Sequence, residues 1–167
     1  MTAELSALSI AIGDALASRK LVLACAESCT GGWVSQIVTN TAGSSAWFDR
    51  GFVTYSNAAK QEMLGVSGET LSNHGAVSEE TAREMVQGAL THSLAGIALA
   101  VTGIAGPGGG SPGKPVGTVC FAWCMDQGPA RSETRYFSGD REAVRRQAVV
   151  TALQGLVSLL DGAKTVP

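Results

Sequence analysis

The sequence predicts a three-layer α/β/α sandwich built on a mixed parallel and antiparallel sheet. Three observations carry that reading. Leu21–Ala26 and Gly96–Thr102 are unbroken apolar runs, the pattern of strands buried on both faces. Segments with helical apolar spacing alternate with them, as in strand–helix–strand units. Further along, Val116–Met125 and Arg131–Phe137 are strand-like and flank Asp126-Gln127-Gly128-Pro129, a turn that joins an antiparallel pair. Without an internal repeat or a linker, residues 1–167 read as a single domain, long enough to bury a sizeable core.

Residues 3–18 form an amphipathic helix with Leu5, Leu8, Ile12, Ala15 and Leu16 on one face, ended by Arg19-Lys20 at the negative pole of its dipole. The Leu21–Ala26 strand follows. Trp33, Val34, Ile37 and Val38 recur at helical spacing, so the next helix is expected from Thr30 or Gly31 to about Thr39. Asn40–Ser45 has turn chemistry, and Trp47–Ser56 is aromatic and β-branched, hence a strand. A helix from Asn57 carries Ala58, Ala59, Met63 and Leu64, with Gly65 as its C-cap. Val66–Val77 reads as irregular, with one helical turn around Glu69–Asn73. Ser78-Glu79-Glu80-Thr81 opens a helix running to about His92, with a capping serine and an acidic first turn. After the Gly96–Thr102 strand comes a loop, residues 103–115, with six glycines and three prolines. The hairpin then leads to a closing helix, Asp140–Leu160, burying Val144, Val149, Leu153, Leu156, Val157 and Leu160.

Composition narrows the function. The chain is 45% hydrophobic and 16% charged, a globular balance. A net charge of −2, with no cluster of Lys and Arg, argues against a dedicated nucleic-acid binder. No apolar run approaches the roughly 20 residues that span a bilayer, and Met1-Thr2-Ala3-Glu4 does not open a signal peptide. The expected location is the cytoplasm. The four cysteines, Cys25, Cys29, Cys120 and Cys124, lack the tight knuckles of zinc sites and read as small buried hydrophobes. Neither a metal nor a disulfide is expected, and Cys29 is the one thiol beside a candidate site.

That candidate is Ala24-Cys25-Ala26-Glu27-Ser28-Cys29-Thr30-Gly31-Gly32, where a buried strand gives way to a helix. A hydroxyl at Ser28 stands at the strand's carboxyl end, beside the free N–H groups of a first helical turn. Those donors suit a phosphate or a developing oxyanion. Ser28 or Thr30 as a simple N-cap is the competing reading.

In the glycine-rich loop, Gly108, Gly110 and Gly113 satisfy the dinucleotide fingerprint, and Gly108–Gly113 followed by Lys114 approaches a P-loop. Pro115 stands where a P-loop needs Ser or Thr, and a strand follows where both motifs need a helix. What remains is a loop after a buried strand whose backbone can approach a ligand and present N–H groups to an anion. A plain surface loop is the alternative.

A nucleophilic serine needs a base. His92 ends a helix and reads as a surface residue; His74 lies in an irregular segment and stays open. A lysine made neutral by burial is the other choice among Lys20, Lys60, Lys114 and Lys164. Tyr55-Ser56-Asn57-Ala58-Ala59-Lys60 sets a phenol at a strand's end and an amine on the next helix.

Ala26–Gly32, Gly51–Asn57 with Lys60 and Leu64-Gly65-Val66, Gly75–Glu79, and Thr102–Gly109 with Gly113–Gly117 occur in this order, followed by Gly139-Asp140-Arg141. In this combination, spanning nearly the whole chain, the sequence resembles the CinA C-terminal domain family in its stand-alone form, the nicotinamide-nucleotide amidohydrolases. The resemblance implies deamidation of nicotinamide mononucleotide to nicotinic acid mononucleotide with release of ammonia, without cofactor or metal. It implies Ser28 as nucleophile with Lys60 and Tyr55 as its activating partners. N–H groups near Thr30 and Gly31 are then expected to hold the oxyanion. The expected substrate-binding residues beyond these are Thr102, Gly103, Ala105, Gly106, Gly108 and Arg141. The expected partner is a small nucleotide, with self-association but neither nucleic acid nor membrane. A non-catalytic nucleotide-binding module, and a cysteine hydrolase using Cys29 with His74, are the rivals.

Overall fold

The structure, a computed structural model, describes residues 1–162. Lys164 and the end of the expected 1–167 unit lie outside them. Five strands form one mixed sheet. In chain order they are β1 (Leu23–Glu27), β2 (Phe48–Val53), β3 (Ile97–Gly103), β4 (Thr118–Met125) and β5 (Arg131–Tyr136). Their order across the sheet is β2-β1-β3-β4-β5. β1 runs parallel to β2 and to β3, whereas β4 is antiparallel to both β3 and β5. The hairpin read from Asp126–Pro129 is therefore present.

Helices α1 (Ala3–Arg19), α2 (Trp33–Val38) and α6 (Arg141–Gly162) cover one face. Helices α3 (Asn57–Leu64), α4 (Gly68–His74) and α5 (Glu79–Thr91) cover the other. The sandwich follows from the strands: β1, and β3 up to its last residue, are buried throughout, so both faces must be roofed. On the α6 side Trp123 donates to the Ala152 carbonyl at 2.8 Å and stacks with Phe121 at 5.7 Å between ring centres. No helix among the described residues is long and apolar enough to cross a membrane.

Three boundaries differ from the sequence reading. Helix α2 begins at Trp33, not at Thr30 or Gly31, because Gly31 (φ +60°) and Gly32 (φ +97°) adopt left-handed backbone that a helix start cannot use. β2 stops at Val53, short of the expected Ser56. The segment read as irregular contains a seven-residue helix, α4. It buries only Leu71, so its apolar pattern is faint. The Ser67 cap and Glu84 hold it, the latter accepting from Thr70 Oγ1 and from the Ser67 N–H at 2.7 Å.

The position of α3 depends on one glycine. A Cβ on Gly88 of α5 would run into the Leu64 carbonyl, so α3 can lie against α5 only because that residue has no side chain. Ser56 caps α3, accepting from the Ala59 N–H at 3.0 Å. Lys60 thereby points inward, and its side chain is buried.

Candidate active site

β1 leads to β2 on one side and neighbours β3 on the other, so the carboxyl ends of β1 and β3 flank a point where the sheet's connections diverge. Ligands of open α/β sheets sit at such points. Ser28 follows β1 directly, and Thr102 and Gly103 end β3. A cavity of about 270 Å³ opens there. It is lined by Ser28, Tyr55, Lys60, Thr102, Gly103, Ala105, Gly106, Gly108 and Arg141, together with Cys29, Asn57, Ala76, Val77, Ile104 and Gly109.

At its floor Lys60 Nζ lies 2.9 Å from Ser28 Oγ and donates to the Thr54 carbonyl at 2.8 Å. Lys60 is 1% exposed and Ser28 8%. Burial lowers the Lys60 pKa from the ordinary lysine value, since the ammonium loses its hydration. Backbone order makes the pair: the Ser28 N–H donates to the Val101 carbonyl, and the Thr54 N–H donates to the Glu27 carbonyl. Residues from β1, β2 and β3 are thus tied together one residue either side of the chemistry.

The turn after Ser28 is organised by a group that sequence reasoning passed over. Glu27, wholly buried, accepts five hydrogen bonds. Its Oε2 takes the Thr30 hydroxyl at 2.6 Å and the N–H groups of Gly32 (3.1 Å) and Val34 (3.0 Å). Its Oε1 takes the N–H and hydroxyl of Ser35, both at 2.8 Å. The positive end of α2 is therefore occupied by the chain's own carboxylate. The Gly31 N–H donates to the Ser28 carbonyl and the Trp33 N–H to that of Thr30. Gly31 is thus not available as the expected oxyanion donor, and the Thr30 side chain is turned to Glu27. Both residues line a neighbouring cleft of about 560 Å³ with Trp33, Gln36, Glu142 and Arg145. Arg145 clamps the turn from α6, donating to the carbonyls of Cys29 (3.0 Å) and Thr30 (3.1 Å) with its guanidinium over the Trp33 ring. An acidic residue at the end of an apolar strand was the available clue to Glu27.

Arg141 lines both cavities. It donates to the Gly106 carbonyl at 2.8 Å and to the Tyr55 hydroxyl at 2.9 Å. Tyr55 is 61% exposed, and its phenol bonds Arg141 rather than Ser28 or Lys60. In the glycine-rich loop, the N–H groups of Gly108 and Gly109 donate to no other group among the described residues. Gly106 (φ +84°) and Gly109 (φ +91°) take left-handed backbone, the conformation from which N–H groups converge on an anion. Thr102 is buried and gives its hydroxyl proton to the Ala76 carbonyl. Lys114 donates to the His74 carbonyl, away from the Ser28–Lys60 cavity.

His74 lines a separate cleft with Glu79, Glu80 and Lys114, and His92 caps α5 through the Gly88 carbonyl at 2.8 Å. Neither histidine reaches the cavity of Ser28. All four cysteines are free and buried, and burial pushes the Cys29 thiol up to about 12.

The family model of the CinA C-terminal domain matches residues 5–160. Nicotinamide-nucleotide amidohydrolase PncC of Escherichia coli K12 is 56% identical over 153 residues, covering 92% of this chain and 93% of that protein. The protein of the same name from Pseudomonas putida is 50% identical over 155 residues, 93% of this chain and 96% of that one. A putative competence-damage inducible protein of Symbiobacterium thermophilum is 53% identical over 151 residues, which are 86% of this chain but 35% of that protein. Among solved structures, a competence/damage inducible protein from Agrobacterium tumefaciens superposes with a TM-score of 0.92 at 47% identity, covering 95% and 97% of the two chains.

Proposed function

The chain belongs to the CinA C-terminal domain family, and from that premise we propose that it deamidates nicotinamide mononucleotide to nicotinic acid mononucleotide, releasing ammonia. The relatives that carry this name match along nearly their whole length. The observation that carries the chemistry is the 2.9 Å contact between Lys60 Nζ and Ser28 Oγ, both buried at the floor of a cavity of small-molecule size.

Burial favours the neutral amine of Lys60 over its ammonium, and the reaction starts from that neutral form. Its Nζ then keeps one N–H on the Thr54 carbonyl and turns its lone pair to the Ser28 hydroxyl. Ser28 Oγ attacks the carboxamide carbon as Lys60 takes the proton. Of the N–H groups from Cys29 to Ser35, those of Cys29 and Thr30 alone are not taken by Glu27 or by a turn carbonyl. They are the donors for the tetrahedral oxyanion. The Lys60 ammonium protonates the departing nitrogen, the C–N bond breaks, and ammonia leaves an acyl ester on Ser28. Water, deprotonated by Lys60, attacks that ester. The carboxylate product departs and the Ser28 hydroxyl regains its proton.

Arg141 and the N–H groups of Gly108 and Gly109 receive the substrate's phosphate. Tyr55 acts through Arg141, holding the guanidinium toward the cavity, and not as a proton relay. The test is ammonia release from nicotinamide mononucleotide by wild type beside Ser28→Ala, with calorimetric binding of the nucleotide to both. Release by wild type alone supports the reading. Binding to both without release would leave a nucleotide-binding module in its place.

A further inference from the structure

We infer that Glu27 is a positioning residue for the reaction, acting through the turn that carries Ser28 and the two remaining oxyanion donors; the inference rests on the amidohydrolase reading above. Every partner of the Glu27 carboxylate is a donor, three on one oxygen and two on the other. The group is wholly buried and lies next in sequence to Ser28. Five charge-assisted bonds collect the N–H groups of Gly32, Val34 and Ser35 to one side of the turn. The N–H groups of Cys29 and Thr30 are left over, because Gly31 and Trp33 are consumed by the turn's own carbonyls. Glu27 also supplies the carbonyl that receives the Thr54 N–H, and the Thr54 carbonyl receives Lys60 Nζ. One residue thus sets the directions of nucleophile, oxyanion donors and base.

Glutamine is nearly isosteric but carries an NH₂ group on one side. Whichever way that amide is turned, its NH₂ faces at least one backbone N–H that cannot accept, that of Ser35 on one side or those of Gly32 and Val34 on the other. The turn must then shift, and displacement of reacting groups by about 1 Å costs roughly 10²-fold in rate.

The experiment compares wild type with Glu27→Gln and Thr30→Val. It reads kcat and KM for ammonia release, calorimetric binding of the mononucleotide, thermal midpoint, and the rate of Ser28 labelling by a fluorophosphonate probe. Glu27→Gln is expected to lower kcat about 10²-fold, with KM and binding little changed, and to slow labelling in parallel. Thr30→Val removes one of the five bonds and is expected to give a smaller loss of the same kind. It also carries the test should Glu27→Gln fail to fold. A lowered thermal midpoint with kcat and labelling intact would overturn the inference, leaving Glu27 a stabiliser only. Equal loss of binding and turnover would overturn it too, since a collapsed site is not a misaimed one. Wild type that is labelled but releases no ammonia would remove the nucleotide reading while the labelling series still decides the role of Glu27. Wild type that neither labels nor turns over would overturn both.

Discussion

The carboxyl ends of β1 and β3 lie side by side, yet they are built in opposite ways. After β1, the N–H donors of the Ser28 turn are almost all spoken for by Glu27 and by turn carbonyls, while Arg145 from α6 donates to the carbonyls of Cys29 and Thr30. After β3, the glycine-rich loop leaves N–H groups at Gly108 and Gly109 without any partner among the described residues. A saturated turn cannot relax, so it suits groups that must stay aimed through bond making and breaking. An unsaturated loop has binding capacity in reserve, which suits recognition of an anion. Chemistry is expected from the first end and affinity from the second.

Lys60→Met gives the sharpest break of that contrast. It removes the base while keeping an unbranched side chain in the buried slot, and turnover is expected to fall by about 10³-fold or more with mononucleotide binding retained. Binding lost in step with turnover would erase the division between the two ends. The same lysine sets a pH signature. With its pKa lowered by burial, kcat/KM should rise with pH on a limb lying below the ordinary lysine range of about 10.4. Stability carries the matching sign. Between the lowered folded pKa and about 10.4 the unfolded chain binds more protons, so this residue's contribution to stability improves as pH rises through that window. Below the folded pKa the cost of burying the ammonium is present in full. Denaturant titrations of Lys60→Met across that window should show a flatter pH dependence than wild type.

Arg141→Ala addresses the recognition side. Losing a charge-assisted contact to a phosphate is worth about 1.5–3 kcal/mol, or roughly 10- to 100-fold in KM, with kcat less affected. Nicotinamide riboside, which lacks the phosphate, should be processed no worse by the variant than by wild type. An equal loss on both substrates would assign Arg141 to positioning Tyr55 and Gly106 instead.

Two glycines on the β3 side separate packing from recognition. A Cβ on Gly103 would lie 2.8 Å from Val119 Cγ2 and 3.1 Å from Cys29 Sγ, so Gly103→Ala should cost about 1–3 kcal/mol of stability by overpacking. A Cβ on Gly108 meets nothing within 4 Å. Gly108→Ala should therefore keep its thermal midpoint and change KM several-fold, a small effect read by steady-state kinetics beside thermal unfolding.

The mixed sheet, its closing hairpin and the stretches that line the cavity were legible in the sequence because apolar runs, turn residues and helix caps are local signals. Ser78 caps the helix it was expected to open, Ser56 directly precedes the expected start at Asn57, and Ser28, Lys60, Thr102, Gly103, Ala105, Gly106, Gly108 and Arg141 line one cavity. The start of α2 was misread because apolar spacing locates a helix but not its first residue, and Gly31 and Gly32 carry left-handed backbone visible only in three dimensions. Glu27 was missed for a related reason. Its significance comes from donors that fold back on it from positions 30–35, and a lone glutamate between Ala26 and Ser28 carries no periodicity of its own. Tyr55 lines the cavity of Ser28 and Lys60, but its hydrogen-bond partner, Arg141, comes from α6, far along the chain.

The smallest expected effect concerns Cys29, which lies beside Ser28 and against Gly103, at the seam between the two ends. Its thiol is 6% exposed and pushed up to about 12, chiefly by burial, so at neutral pH it is held as the unreactive thiol. Alkylation by iodoacetamide at neutral pH should leave ammonia release unchanged over the time in which a surface thiol is fully modified. The other member of a thiol–histidine pair is absent from the cavity, since His74 lines a different cleft. Rapid inactivation by iodoacetamide, with Ser28→Ala still active, would transfer the nucleophile to the neighbouring residue. It would also turn the saturated turn from an aiming device for Ser28 into one for Cys29.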